Sequence, residues 1–224
     1  MKRFLRENSL GLVFGILFLI VLVGEAIAGH ADFNQQQFTD GLPAVSFGRY
    51  ISSASFGADV AENWQSEYLQ FFLYIFLTVW LLQKGSPESK SLDRAGLESD
   101  QDQKVGPYAD ENSPAWARAN GLRRTVYSNS LGLVMGLIFL GSWLAQSIAG
   151  RASFNERQLS SLQDPVSWSR YLLEPDFWNR TLQNWQSELL AVASMAILAI
   201  YLRQRGSSQS KPVGTAHTAT GIDG

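Results

Sequence analysis

Two arginine–tyrosine pairs, Arg49-Tyr50 and Arg170-Tyr171, and two copies of Asn-Trp-Gln-Ser-Glu, at residues 63–67 and 184–188, are the side chains best placed for chemistry in this chain. A guanidinium presents a rigid fork of donors that fits a carboxylate or phosphate, and a carboxylate serves as a base, a cation ligand or the arginine's own partner. Asn63 and Glu67 stand four residues apart, as do Asn184 and Glu188, so on a helix each pair shares a face. A charge withdrawn from water acquires a partner, which predicts Arg49 with Glu67 and Arg170 with Glu188, either within one copy or across the two. Two chemistries follow from such pairs. One is a salt-bridged cap that pins a loop onto helices; the other is a ligand or substrate site built on the same Arg, Tyr, Asn and Glu residues.

Other polar groups carry weaker signals. Glu25 has the makings of a general base or cation ligand, yet its counterpart at position 146 is Gln, so only the polarity recurs and a hydrogen-bonding role is expected. His30-x-Asp32 offers two metal-ligand types, whereas the counterpart reads Arg151-x-Ser153; no metal and no cofactor is expected. The chain has no cysteine, which rules out disulfides, thiol catalysis and thiolate metal sites. It also lacks a G-x-S-x-G elbow, an H-E-x-x-H pair, a phosphate loop and a dinucleotide fingerprint.

The elements behind these residues come in duplicate. Residues 8–90 align without a gap on residues 129–211 at a constant offset of 121, with 34 of 83 columns identical, which is the signature of an internal repeat. Within each copy an uncharged apolar stretch opens on Ser-Leu-Gly-Leu-Val and closes on Ile-Ala-Gly, at residues 9–29 and 130–150, with Glu25 the only charge. A second apolar run follows each Asn-Trp-Gln-Ser-Glu block, at residues 69–82 and 189–202. Crossing a hydrocarbon core of ~30 Å takes ~20 helical residues, a length each second run reaches when its helix starts at Trp64 or Trp185. Four spans are therefore predicted, with both tryptophans in the interfacial aromatic belt. The basic start and apolar middle of residues 1–29 resemble a signal peptide, but the same segment recurs mid-chain, so the first helix is expected to be retained.

Of the 18 Lys and Arg, 13 lie before the first span, between the repeats or after the last span, and five lie in the loops inside the repeats. That asymmetry places both termini and the linker in the cytoplasm. Two spans per copy keep the copies parallel, related by a pseudo-two-fold axis along the membrane normal. Gly11-x-x-x-Gly15 and Gly132-x-x-x-Gly136 put two glycines on one face of each first helix, which favours close packing of the first helix of one repeat on that of the other. The linker, residues 91–128, is polar and is expected to be largely disordered; residues 115–127 read as a basic flank that fixes topology, with a short amphipathic helix on the cytoplasmic surface as the alternative. The tail, residues 212–224, is expected to be disordered. Phe33-Asn34 and Phe154-Asn155 read as a turn and anchor just after the first helices.

Ser-Leu-Gly-Leu-Val, Ile-Ala-Gly, Arg-Tyr, Asn-Trp-Gln-Ser-Glu and then Gln83-Lys84-Gly85-Ser86-Pro87-Glu88-Ser89-Lys90 together resemble a family of small bacterial four-helix membrane proteins catalogued only as a domain of unknown function. In the second copy the last motif departs to Gln204-Arg205-Gly206-Ser207-Ser208-Gln209-Ser210-Lys211. The resemblance implies a bacterial cytoplasmic (inner) membrane and no activity.

The reading is an all-α integral membrane protein. Repeat 1 covers residues 8–90 with its outer loop at 29–63, and repeat 2 covers residues 129–211 with its outer loop at 150–184. A structural or partner-binding membrane component is favoured, since the central parts of the spans hold no Asp, Glu, Lys, Arg or His and no catalytic motif appears. An enzyme or small-ligand site at the outer interface is the alternative, and a channel or transporter is third. The expected partners are the lipid bilayer and a membrane protein or a second copy of the chain, with no nucleic acid.

Overall fold

The computed structural model describes residues 2–222, and among them every regular element is helical, with no strand. In chain order these are α1 (Lys2–Glu7), α2 (Ser9–Thr39), α3 (Phe47–Ile51), α4 (Ala54–Leu77), α5 (Leu122–Ser128), α6 (Ser130–Ser160), α7 (Trp168–Tyr171) and α8 (Pro175–Tyr201). Two single 3-10 turns, Leu92–Arg94 and Gly106–Tyr108, interrupt the linker.

Helices α2 and α6 are both 31 residues long and start at matched positions, Ser9 and Ser130. At 1.5 Å per residue each measures about 46 Å, about 16 Å more than a hydrocarbon core. Both are long and apolar enough to cross a membrane. From residue 10 to residue 24 every α2 side chain is exposed except the half-buried Leu22, which for leucine, isoleucine, valine and phenylalanine is a surface suited to lipid and costly in water. Helices α4 and α8 have 24 and 27 residues, but α4 carries Asp59, Glu62 and Glu67, and α8 carries Asp176, Arg180 and Glu188. Among the described residues only α2 and α6 meet the length and composition of a span.

The extra length of α2 and α6 corrects one reading of the sequence. Phe33-Asn34 and Phe154-Asn155 are not turns, because both pairs lie inside the long helices. The asparagines use their amides at a distance. Val45 N–H donates to Asn34 Oδ1 at 2.7 Å while Asn34 Nδ2 donates to the Val45 carbonyl at 3.1 Å. Asn155 does the same with Val166, at 2.8 and 3.0 Å. A side-chain amide that mimics a strand partner satisfies a loop's backbone, so the chain folds back along its helix without a turn at the asparagine.

The helix ends differ in an instructive way. Gly41 closes α2 with φ +73°, and the next amide, Leu42 N–H, reaches back to the Gln37 carbonyl at 2.8 Å. This is the left-handed closure that glycine makes freely. Position 162, the counterpart of Gly41, is Leu with φ +58°, and Gln163 N–H reaches the Gln158 carbonyl at 2.8 Å. The same closure is made there by a residue whose Cβ opposes it.

The chain divides into two compact units, Met1–Ala61 with Ala145–Phe177, and Glu62–Leu144 with Trp178–Gly224. In the first, the conserved spacing of the copied segments builds the same clasp twice. Tyr50 is 4% exposed and Tyr171 1% exposed. Tyr50 packs on Phe33 and Phe56 with ring centroids 5.5 and 5.4 Å apart, and Tyr171 packs on Phe154 and Phe177 at 5.5 and 5.7 Å. Gly29 and Gly150 leave the space for the two hydroxyls. A Cβ at Gly150 would come 2.6 Å from the Tyr171 oxygen, and a Cβ at Gly29 would overlap that of Tyr50. Ser46 and Ser167 cap α3 and α7 by accepting from Arg49 N–H and Arg170 N–H, the usual task of an N-cap serine.

In the second unit the core lies between α6, α4 and α8. Gly132 and Gly136 meet α4: a Cβ at Gly136 would stand 3.2 Å from the Phe72 ring, and one at Gly132 4.0 Å from Ile75. The absent side chains at these glycines leave room for the Phe72 ring. A Cβ at Gly11 or Gly15 meets nothing within 4 Å.

Candidate functional site

The two Asn-Trp-Gln-Ser-Glu blocks lie on α4 and α8 within the second unit, and the copies face different surroundings. In α4, Gln65 is 0% and Ser66 1% exposed, while Asn63, Trp64 and Glu67 are exposed. In α8 the order reverses: Asn184, Trp185 and Glu188 are half-buried, and Gln186 and Ser187 are exposed. The blocks engage each other. Trp185 Nε1 donates to Gln65 Oε1 at 2.7 Å, and Asn184 Nδ2 donates to Glu62 Oε1 at 2.7 Å. The other Glu62 oxygen accepts from Arg180 Nε at 2.5 Å. Arg180 and Glu62 retain only 24% and 16% side-chain exposure, a setting in which a charge pair is held tightly and losing one partner is costly.

An aromatic wall backs this lock. Trp143 of α6 stacks on Phe139 at 5.6 Å and meets Trp185 at 5.7 Å and Trp178 at 6.2 Å. Tryptophan N–H groups give such a cluster polar handles, and Trp185 spends its own on Gln65.

Glu62, Gln65 and Arg180 were the residues that matching of the copies did not single out as partners. Glu62 aligns with Gln183 and Arg180 with Asp59, so neither column is kept. The usable signal was the charge reversal at positions 59 and 180, together with the four-residue spacing of Arg180 and Asn184. That spacing is realised on α8, where Asn184 Nδ2 also donates to the Arg180 carbonyl at 2.9 Å.

Within the first unit Arg170 Nε closes on Glu174 at 2.8 Å, one turn along the chain. Arg49 is exposed on α3. Of the two block carboxylates, Glu67 is exposed and Glu188 half-buried. In the first unit the tyrosines occupy the interior: Tyr171 Oη donates to Asp176 Oδ2 at 3.0 Å, and Arg157 holds Asp176 Oδ1 at 2.9 Å. Tyr50 has Asp59, Glu25 and Asp32 as acidic neighbours, and burial first, then these charges, pushes its phenol above the usual tyrosine value. His30 contacts the Val45 carbonyl at 2.8 Å and Asn34 Nδ2 at 2.9 Å, so its ring braces the folded-back segment.

Chemically this arrangement fastens. Glu62 is shared by Arg180 and Asn184, Gln65 by Trp185, and Asp176 by Arg157 and Tyr171. Each group's hydrogen-bonding capacity is directed at another part of the same chain.

The model of one protein family, described as Domain of unknown function (DUF6766), matches residues 1–222, and the chain belongs to that family. No curated protein and no solved structure matches the chain.

Proposed function

We propose that this member of the family is a multi-pass protein of the bacterial cytoplasmic membrane, with four spans in two parallel repeats and both termini in the cytoplasm. It serves there as a structural or partner-binding component. The apolar, exposed surfaces of α2 and α6 support the membrane setting. The second helix of each repeat completes the pair once its polar half is supported by protein contacts such as the Glu62–Arg180 pair. The Lys and Arg asymmetry supports the orientation. Matched contacts at positions 121 apart, Asn34–Val45 with Asn155–Val166 and Gly29–Tyr50 with Gly150–Tyr171, support the repeat.

The observation that carries the role is where the outer polar groups go. The sharing of Glu62 between Arg180 and Asn184 commits the most buried charge of the cluster to holding α4 and α8 together, which is what a scaffold needs. Lipid is one partner of the exposed α2 face, and a membrane protein or a second copy of the chain is the other. The test is purification in mild detergent with identification of what comes along. A scaffold retains a stoichiometric protein partner or self-associates, while a protein that remains monomeric and alone in every mild detergent contradicts the partner-binding role.

A second reading, a small-ligand site at the outer interface, draws on the carboxylates of the two blocks, the exposed Glu67 and the half-buried Glu188. Carboxylate oxygens of two helices are the ligands a hard cation takes. Substitution of both by Gln separates the readings. A structural role leaves the variant as stable as the parent or more so, and a ligand role costs the variant its cation-dependent stabilisation.

A further inference from the structure

After its second helix each repeat makes the same turn, at residues 83–90 and 204–211. Ser86 N–H reaches the Gln83 carbonyl at 3.0 Å and Ser207 N–H the Gln204 carbonyl at 3.2 Å. Gly85 and Gly206 take φ +86° and +80°. The hydroxyls of Ser89 and Ser210 accept from Gln83 N–H and Gln204 N–H, both at 2.9 Å. The turns end on Lys90 and Lys211, and the two lysines do different things. Lys90 Nζ holds the Gly96 carbonyl and Glu98, each at 3.2 Å, in the segment just downstream. Lys211 is 1% exposed. Its ammonium sits among four carbonyl oxygens: Gly85 at 2.6 Å, His217 at 3.0 Å, Ala219 at 3.2 Å and Ala216 at 3.3 Å. Three of these belong to the tail and one to the turn of the first repeat.

The tail meets that turn elsewhere as well. Gly85 N–H donates to Thr220 Oγ1 at 2.9 Å, and Gly221 N–H donates to the Ser86 carbonyl at 3.1 Å. Arg203 holds the Thr215 carbonyl at 2.9 Å, and His217 Nδ1 lies 3.0 Å from the Ile200 carbonyl. A buried ammonium without a carboxylate is tolerated only when its donors are satisfied. Here the tail backbone supplies most of the acceptors, so the charge and the tail conformation depend on each other.

We propose that residues 212–222 form a latch: the tail docks on the turn at residues 83–90, with Lys211 as the bolt that ties the end of α8 to the end of α4. The surface is the backbone of the Gly85-Ser86 turn, and its occupant is the chain's own C-terminal segment. The latch extends beyond the outer lock of Glu62 and Arg180, since it joins the same two helices at their other ends, and it requires no particular membrane orientation.

The duplicated turn supplies its own control. Gly85 and Gly206 share the positive φ, so alanine strains both turns alike, but only a Cβ at Gly85 would collide with the His217 carbonyl, while one at Gly206 meets nothing within 4 Å. Hydrogen exchange of the full-length protein in detergent, read by mass spectrometry over residues 212–222, tests the latch. Lys211→Met and Gly85→Ala are expected to raise tail exchange at least tenfold, Thr220→Val to raise it less, and Gly206→Ala to leave it at the parent's rate. Thr220→Val removes one surface hydroxyl and leaves the fold intact, so its result stands even where another variant does not fold. Tail exchange unchanged in both Lys211→Met and Thr220→Val overturns the latch. So does equal loss of protection in Gly85→Ala and Gly206→Ala, which would assign the effect to turn strain.

Discussion

Glu62 is the residue on which the contact of α4 with α8 depends, since it answers Arg180 and Asn184 at once. Removing one member of a largely buried charge pair leaves the other uncompensated, at a cost of ~3 kcal/mol. Glu62→Ala is therefore expected to lower the thermal midpoint in detergent by several degrees more than Glu67→Ala, whose side chain is exposed. A double-mutant cycle of Glu62→Ala with Arg180→Ala should give a coupling of at least ~1 kcal/mol, and additive losses would remove Arg180 as the partner. Tyr50 makes a prediction about pH. Its phenol titrates above the usual value in the fold because burial, Asp59 and the other nearby carboxylates disfavour the phenolate. In the unfolded chain it loses its proton near pH 10. The unfolded state then binds fewer protons, so stability contributed by this group is complete below about pH 10 and falls as pH rises toward the folded-state value. Tyr50→Phe should flatten that alkaline loss, as read by melting between neutral pH and alkali; an unchanged slope would place the loss elsewhere.

At the scale of elements, the helix closures offer a clean comparison. Leu162 occupies with φ +58° the position that Gly41 occupies with φ +73°, and it is 97% exposed. It therefore carries left-handed strain with little packing to offset it. Leu162→Gly should stabilise the protein by roughly 1 kcal/mol, and a loss of stability would show that the leucine contributes a contact outside the chain. Asn155→Ala should do the reverse, removing two hydrogen bonds to Val166 at a net cost of roughly 1 kcal/mol each and opening the folded-back segment to protease.

These elements also show what the sequence could and could not reveal. The starts of α2 and α6 were legible from the apolar run and its copy, and so was the all-helical class. The extension of both helices through Thr39 and Ser160 was not, because the polar residues after Ala31 and Ala152 resemble a loop when the backbone partner, Val45 or Val166, is out of view. The Asn-Trp-Gln-Ser-Glu blocks stood out as repeated, but their partners did not. Copying preserves a residue type and not its neighbour, and the lock uses Glu62 and Arg180, two positions where the copies diverged.

For the whole molecule, the exposed apolar length of α2 and the matched length of α6 fit a bilayer, and the charge asymmetry sets the expected direction of crossing. If each repeat crosses twice, residues 41 and 163 lie on one side of the membrane and residue 90 and the C-terminus on the other. A reporter that is active only outside the cytoplasm, fused in turn after Gly41, Lys90, Gln163 and Gly224, measures this directly. The expected result is activity after Gly41 and Gln163 and silence after Lys90 and Gly224, with the full-length fusions recovered in the membrane fraction. Activity after Lys90 would mean that the first repeat does not cross twice with its N-terminus inside, and would contradict the four-span, parallel-repeat arrangement.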